Sequence, residues 1–324
     1  MGGDKAPQAI VEGAIRAVER DDIEPDCITL VGDETKLKTL LLDTLKCSYR
    51  FAIEHTTQIV EMDESPVDAL RKKGKSSLAR SIQLLKERSV DAMISAGNTG
   101  ALVAYATLRL GMLKGIKRPG IAVLYHSLSG ACTIIDVGAN IHCKPIHLYH
   151  YGLMASNYMR CVLGIENPRV AMVNIGEEDE KGNPLVKETR ELFEDPRINF
   201  VGNIEGQDIF SGKCDVLVCE GFVGNVILKV SEGLGAYVYE ALLKDLNAEN
   251  GDNEKRALSM NILEEIYSKL DYKEYGGAPL LGVNGAVNIC HGRSDAKAIS
   301  NAIRFACRSV ENKLIENIAA GLEG

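Results

Sequence analysis

The 324-residue sequence predicts an α/β protein, a mixed but mostly parallel sheet covered by helices on both faces in three αβα layers. Strand-like runs rich in β-branched and apolar residues alternate with stretches of helical periodicity along nearly the whole chain. The runs are continuously apolar, as strands buried on both faces are. No internal repeat and no Pro/Ser-rich linker divides them, so residues 1–324 read as a single domain with a helical excursion around 230–272.

The chain opens on "MGGDKAP" (1–7), a loop of the kind that joins a strand to a helix. Pro7 suits a first helical turn, and Ile10, Val11, Ala14, Ile15 and Val18 follow at helical spacing. A strand is expected ahead of such a loop, so either the numbering begins late or the protein does without one strand. Strands are expected within 27–33, 49–55, 90–97, 120–127, 131–139, 169–176, 198–206, 215–222 and 285–292, with helices between most of them. The adjacent runs at 120–127 and 131–139 read as a hairpin, which makes the sheet mixed. A polar insertion, "KDLNAENGDNEKR" (244–256), separates two helices.

Composition narrows the function. With 45% hydrophobic and 25% charged residues the chain is an ordinary globular protein. It has no apolar run of the roughly 18 residues a spanning helix requires and no basic-then-apolar leader, so a cytoplasmic location is expected. A net charge of −8 argues against nucleic acid as a partner. Nine cysteines without CxxC pairing read as reduced thiols. His142, Cys143, His147 and His150 fit no standard zinc spacing, and no GxGxxG follows a strand, so neither a metal nor a dinucleotide cofactor is expected.

In such folds ligands bind beyond the carboxyl ends of strands, and the loops there are unusual. "GNTG" (97–100) opens an apolar helix; it reads as an anion site or equally as a capped turn. "DVGAN" (136–140) ends a strand in a carboxylate, a glycine and an amide. "NIGEEDEKGN" (174–183) carries a charge run that reads first as solvated surface. "GNIEGQDIFSG" (202–212) and "CEGFVGNVILKVSEG" (219–233) add amides, acids and glycines, and His291 ends the last strand. All are expected to meet at one edge of the sheet.

Taken in order, "MGGDKAP", "SAGNTGA", "DVGAN", "NIGEEDEKGN", "GNIEGQDI", "GFVGNVILK" and "YGGAPLLG" resemble the PlsX family of bacterial phosphate acyltransferases, end to end. The resemblance implies a Rossmann-like sheet of the isocitrate/isopropylmalate dehydrogenase and phosphotransacetylase type. It implies transfer of a fatty acyl group from acyl carrier protein to inorganic phosphate, giving acyl phosphate for phospholipid synthesis, without a cofactor. A homodimer is implied too, with peripheral association at the membrane beside the glycerol 3-phosphate acyltransferase. The apolar face of 257–270 (Leu258, Ile262, Ile266, Leu270) suits packing in that dimer better than lipid.

Phosphate is itself an adequate nucleophile, so the site must hold a dianion against a thioester and stabilise an oxyanion. Gly97, Asn98, Thr99 and Gly100 are expected at the phosphate or carbonyl and Lys181 as anion charge, and the analogy with the related phosphotransacetylases implies Asp136 and Asn140 as orienting groups. Glu177, Asn183, Asn203, Glu205, Asp208, Asn225 and Lys229 complete the expected pocket, and His291 or Asp136 protonates the leaving thiolate. Cys219, in an apolar run without an evident activating histidine, is not expected to carry the acyl group. Glu220 stands where the family usually has aspartate, and His142 follows "GAN" where an acid is common nearby. The acidic carrier calls for a basic landing site, and Arg71, Lys72, Lys73 and Lys75 form the densest basic stretch, which reads equally as a solvated helix junction. A short-chain phosphotransacetylase using coenzyme A and a non-catalytic carrier-protein scaffold are the alternatives.

Overall fold

The structure, a computed structural model, describes residues 1–21, 23–248, 259–263 and 276–323. Among these residues β1 (Thr29–Gly32) and β2 (Ala52–His55) pair in parallel as a separate small sheet. The main sheet comprises β3 (Ala92–Ser95), β4 (Gly120–Ser127), β5 (Gly130–Ile135), β6 (Arg169–Val173), β7 (Asn199–Ile204), β8 (Val216–Val218), β9 (Ala278–Leu281) and β10 (Ala286–Ile289). Their order is β3-β10-β9-β4-β5-β8-β6-β7.

Each run expected to be a strand contains one. β9 is the addition: Pro279 interrupts its pattern and two glycines precede it, so it reads as a loop until its neighbours pair with it from both sides. Both pairings are antiparallel, and so is that of β4 with β5, the expected hairpin. The consequence is a reversal within the sheet. β3, β10 and β4 run one way, whereas β9, β5, β8, β6 and β7 run the other. The loops after β3 and β10 thus leave from one edge and those after β5, β6, β7 and β8 from the opposite edge. They do not meet at a single edge.

Alternate strand residues bury on opposite faces, which is why the runs are apolar throughout. Ile134 and Leu217 join one core, whereas Ile135, Val216 and Val218 join the other. On the first face lie α3 (Pro66–Lys72), α4 (Ser77–Lys86), α5 (Thr99–Tyr105) and the start of α8 (Gly221–Ala248), with Ala69, Ile82, Leu102, Tyr105 and Leu228 buried. The second face is covered by α6 (Pro145–Leu163), α7 (Pro184–Leu192) and α10 (Leu314–Glu323), through Tyr151, Met154, Tyr158 and Ile318. α1 (Gln8–Asp21) and α9 (Ala296–Glu311) pack together in a third cluster that includes Val11, Ala14, Ile299 and Ala302. α2 (Glu34–Thr39) adjoins β2.

β1 and β3 flank a cleft of about 470 Å³, and Met1, Gly2 and Gly3 adjoin a smaller hollow between the same strands. The strand expected ahead of the opening loop lies outside these residues. α8 presents Phe222, Val226, Val230, Leu234, Val238 and Leu242 to solvent at four-residue spacing. The polar insertion at 244–256 and the face at 257–270 lie mostly outside the described residues, although Ile262 is exposed. Among the described residues no helix is long and apolar enough to cross a membrane.

Candidate functional site

The loop after β5 is organised by one carboxylate. Asp136 is fully buried, and its Oδ1 accepts from the backbone N–H groups of Ile121 (2.9 Å), Gly138 (3.1 Å) and Ala139 (2.9 Å). Its Oδ2 accepts from the Asn140 N–H at 2.8 Å. Burial pushes the carboxyl pKa up while these donors oppose it. The Asn140 amide donates to the Pro119 carbonyl (2.6 Å) and the Tyr151 hydroxyl (2.9 Å). Asp136 and Asn140 therefore hold the loop in shape from behind.

α8 docks closely on that loop. A Cβ at Gly221 would lie 2.6 Å from the Asn140 carbonyl oxygen, and one at Gly224 would lie 1.9 Å from that of Asp136. Only glycine permits the approach. The first amides of α8 are already engaged: the Glu220 carboxylate accepts from Phe222 N–H (2.7 Å) and Val223 N–H (2.9 Å). Glu220 thus caps the helix, and its N-terminus is not open to a substrate anion.

From Gly221, α8 runs back over the sheet, so Lys229 lies about 12 Å further along its axis. There the Lys229 ammonium stands 3.5 Å from His291 Nε2 and donates to Glu232 at 2.9 Å. His291 Nδ1 accepts from the Arg293 N–H at 3.3 Å, an arrangement that places the proton of a neutral ring on Nε2. These groups lie along an open groove of about 340 Å³ whose two ends draw on opposite edges of the sheet. Thr99, Gly100, Cys290 and His291 come from one edge, and Val137, Gly138, Ile141, Phe222 and Asn225 from the other. Between them the floor is apolar, with Ile121, Val123, Ala278 and Ile289 beneath Leu228. Burial raises the Cys290 thiol pKa to about 12 and the Cys219 thiol well above its ordinary range, so neither is a ready thiolate.

Thr99, Gly100, Asn225, Lys229 and His291 are the expected residues that the groove gathers. Asn98 lies just behind them and is committed to the fold. Its Oδ1 accepts from Ala101 N–H, capping α5, and its Nδ2 donates to the carbonyls of Glu61, Met62 and Glu64 at 2.9–3.2 Å. Gly97 donates its N–H to Ser95 Oγ and adjoins the hollow beside Met1.

The remaining expected residues form another cluster, outside the groove lining, around the ends of β6 and β7. Lys213 bridges Glu177 (2.7 Å) and Asp208 (3.0 Å), Asn183 caps α7, and Asn203 donates to the Glu178 carbonyl. Lys181 bonds through its backbone to Glu178, and Glu205 pairs with Gln207. Asn174 Nδ2 and Asn203 Oδ1 are buried there without a partner among the described residues.

Of the basic stretch, Lys73 is held by Glu64 and the Ile59 carbonyl, both at 2.6 Å, while Lys72 pairs with Asp68 on the surface. Arg71 and Lys75 are exposed. His147 and His150 accept backbone N–H bonds through Nδ1, from Lys144 and Lys117. Among the described residues no group of three or more His, Cys, Asp or Glu side chains is arranged to hold a metal.

The floor residues and Glu232 have no distinguishing signal in the sequence, because an apolar strand names no face and an acid on a long helix names no partner.

A family model described as fatty acid synthesis protein matches residues 1–317. A phosphate acyltransferase from Pelotomaculum thermopropionicum is 44% identical over 323 residues, covering 100% of this chain and 93% of the relative. Another, from Desulfitobacterium hafniense, is 46% identical over 320 residues, 98% of this chain and 94% of the relative. Among solved structures, a phosphotransacetylase from Streptococcus pyogenes superposes with a TM-score of 0.65 at 17% identity, over 94% of this chain and 92% of that one. The EutD phosphotransacetylase from Staphylococcus aureus gives 0.61 at 15% identity, over 94% and 91%. These structures share the fold.

Proposed function

The chain belongs to the PlsX family of phosphate acyltransferases, and from that premise we propose that it transfers a fatty acyl group from acyl carrier protein to inorganic phosphate, in phosphatidic acid synthesis. The observation that carries the reading is the polar wall of the groove, where Lys229 and His291 stand donor beside donor at 3.5 Å above an apolar floor. Two such donors suit a phosphate bridging both.

A phosphate oxygen attacks the thioester carbonyl carbon, forming a C–O bond and a tetrahedral oxyanion. Collapse breaks the C–S bond, and the sulfur leaves as the thiol once protonated. In this reading Lys229 holds the phosphate in place of the expected Lys181, and Thr99, at the same end of the groove, offers a donor to the oxyanion. His291 hydrogen-bonds the departing sulfur through Nε2–H, and the attacking phosphate, entering as HPO4²⁻, supplies the proton that converts the thiolate, of ordinary pKa near 8.5, to the thiol. Asp136 and Asn140 act through the loop they shape.

The carrier approaches over α3. Its exposed Arg71 and Lys72, with nearby Lys75, lie on a helix packed against α5, whose first residues line the groove. The exposed apolar stripe of α8 beyond the groove, from Val230 to Leu242, supports the homodimer, and peripheral membrane association belongs to the same reading. The test is phosphate-dependent release of thiol from palmitoyl acyl carrier protein. Release that requires phosphate and falls at least tenfold in Lys229→Ala is expected; no phosphate-dependent release overturns the function, and full activity in Lys229→Ala overturns the site.

A further inference from the structure

The groove floor is built by three adjacent strands in register. β9 lies between β4 and β10, with Ile121 opposite Leu280 on one side and Ile289 opposite Ala278 on the other. Continuing the register sets Val123 opposite Ala278. Val123, Ala278 and Ile289 thus form one row across the sheet, and Ile121, Leu280 and Val287 form the next. All six belong to one buried cluster and so face the same side.

Strands stand about 4.8 Å apart, so the Cα atoms of Val123 and Ile289 are separated by about 10 Å with a single methyl group between them. That is a short furrow, walled by two branched side chains beneath Leu228; Leu280 fills it in the next row, so the groove turns from Ala278 past Ile121 toward Val137. One end meets Thr99, Lys229 and His291; the other passes Val137 and opens between Ile141 and Phe222. Ile141 and Phe222 are 60% and 63% exposed and face each other across this mouth of the groove as an apolar rim.

We infer that this furrow is the track of the acyl chain and that Ala278 determines the admission of long chains. The inference rests on the acyl-transfer reading above. The thioester carbonyl lies beside Lys229 and His291, and the methylenes run over Ala278 to emerge between Ile141 and Phe222. Burial of each methylene favours binding by about fourfold, so the track selects long, unbranched acyl groups over short ones. A larger side chain at position 278 fills the space between Val123 and Ile289 and removes that selection.

The experiment measures kcat/KM for palmitoyl and butyryl acyl carrier protein, and binding of the fluorescent fatty acid cis-parinaric acid, in the full chain and in two variants. Ala278→Leu narrows the track, and Phe222→Ser alters only the exposed rim, where folding is spared. The expected result is that Ala278→Leu lowers the palmitoyl-to-butyryl preference by about tenfold or more and weakens parinaric acid binding, with Phe222→Ser acting in the same direction more weakly. Unchanged preference and unchanged binding in both variants overturn the furrow. If the full chain turns over neither thioester, the binding arm still decides: loss of parinaric acid binding in Ala278→Leu supports the track while the reaction is rejected, and unchanged binding overturns the track as well.

Discussion

Replacing Asp136 by asparagine separates a group that shapes the site from one that touches substrate. Oδ1 accepts three backbone N–H bonds and Oδ2 a fourth, all from the β4 start and the loop at 138–140. In Asp136→Asn an amide nitrogen replaces Oδ2 and faces the Asn140 N–H donor to donor. One bond to a charged acceptor is lost, worth about 1.5–3 kcal/mol, and a buried N–H is left unsatisfied, while relief of the buried charge offsets part of this. A net loss of about 2–4 kcal/mol follows. For 324 residues, at about 2.1 cal/mol/K per residue, each kcal/mol shifts the melting temperature by about 1.5 °C. Thermal melts should therefore show a drop of about 3–6 °C, and acyl transfer assayed below the transition should fall as the groove wall at 137–141 shifts. Burial holds the Asp136 pKa above that of a free carboxyl, so its ionisation opposes folding as pH rises through the carboxylate range; the asparagine variant loses that dependence. An unchanged melting temperature with abolished turnover would falsify the positioning role and return Asp136 to direct chemistry.

Asn98→Ala removes the α5 cap and the ties to three carbonyls, and should lower stability by about 2–3 kcal/mol in denaturant titration; an unaltered midpoint with raised phosphate KM would instead make Asn98 a ligand contact. His150 is buried with its pKa lowered to about 4, so the unfolded chain binds its proton first as pH falls below about 6.5. Up to about 3 kcal/mol of stability should disappear between pH 6.5 and 4, and His150→Gln should flatten that slope; an equal slope in the variant assigns the loss elsewhere. Charge reversal at Arg71 and Lys72 should raise KM for acyl carrier protein and spare a small acyl thioester, whereas reversal at Lys73 should lower the melting temperature because it breaks the bridge to Glu64. Equal behaviour of the two sets would remove α3 as the carrier's landing site.

Strands were legible wherever both faces are buried, because "ACTII" and "DVLV" can be apolar throughout only in the middle of a covered sheet. β9 was not, since Pro279 breaks its pattern and its place depends on pairing with β4, distant in sequence, as well as with the adjacent β10. The loops were legible as chemistry-bearing strand ends, but their meeting place was not. A strand's direction in a sheet is decided by the partner it pairs with, and the reversal after β4 sends "GNTG" and "DVGAN" to opposite edges.

What the sequence determined by itself was the α/β class, the nine strand runs and the family, because these depend on local residue type and motif order. Only the tertiary structure decided which polar groups face the groove. Asn98 and Asp136 look like site residues beside Lys229 and His291, yet the carbonyls of 61–64 satisfy Asn98 and the N–H groups of Ile121 and 138–140 satisfy Asp136, while Lys229 and His291 stand over the groove. A hydrogen bond is assigned by what lies within about 3 Å, and that is a property of the folded chain.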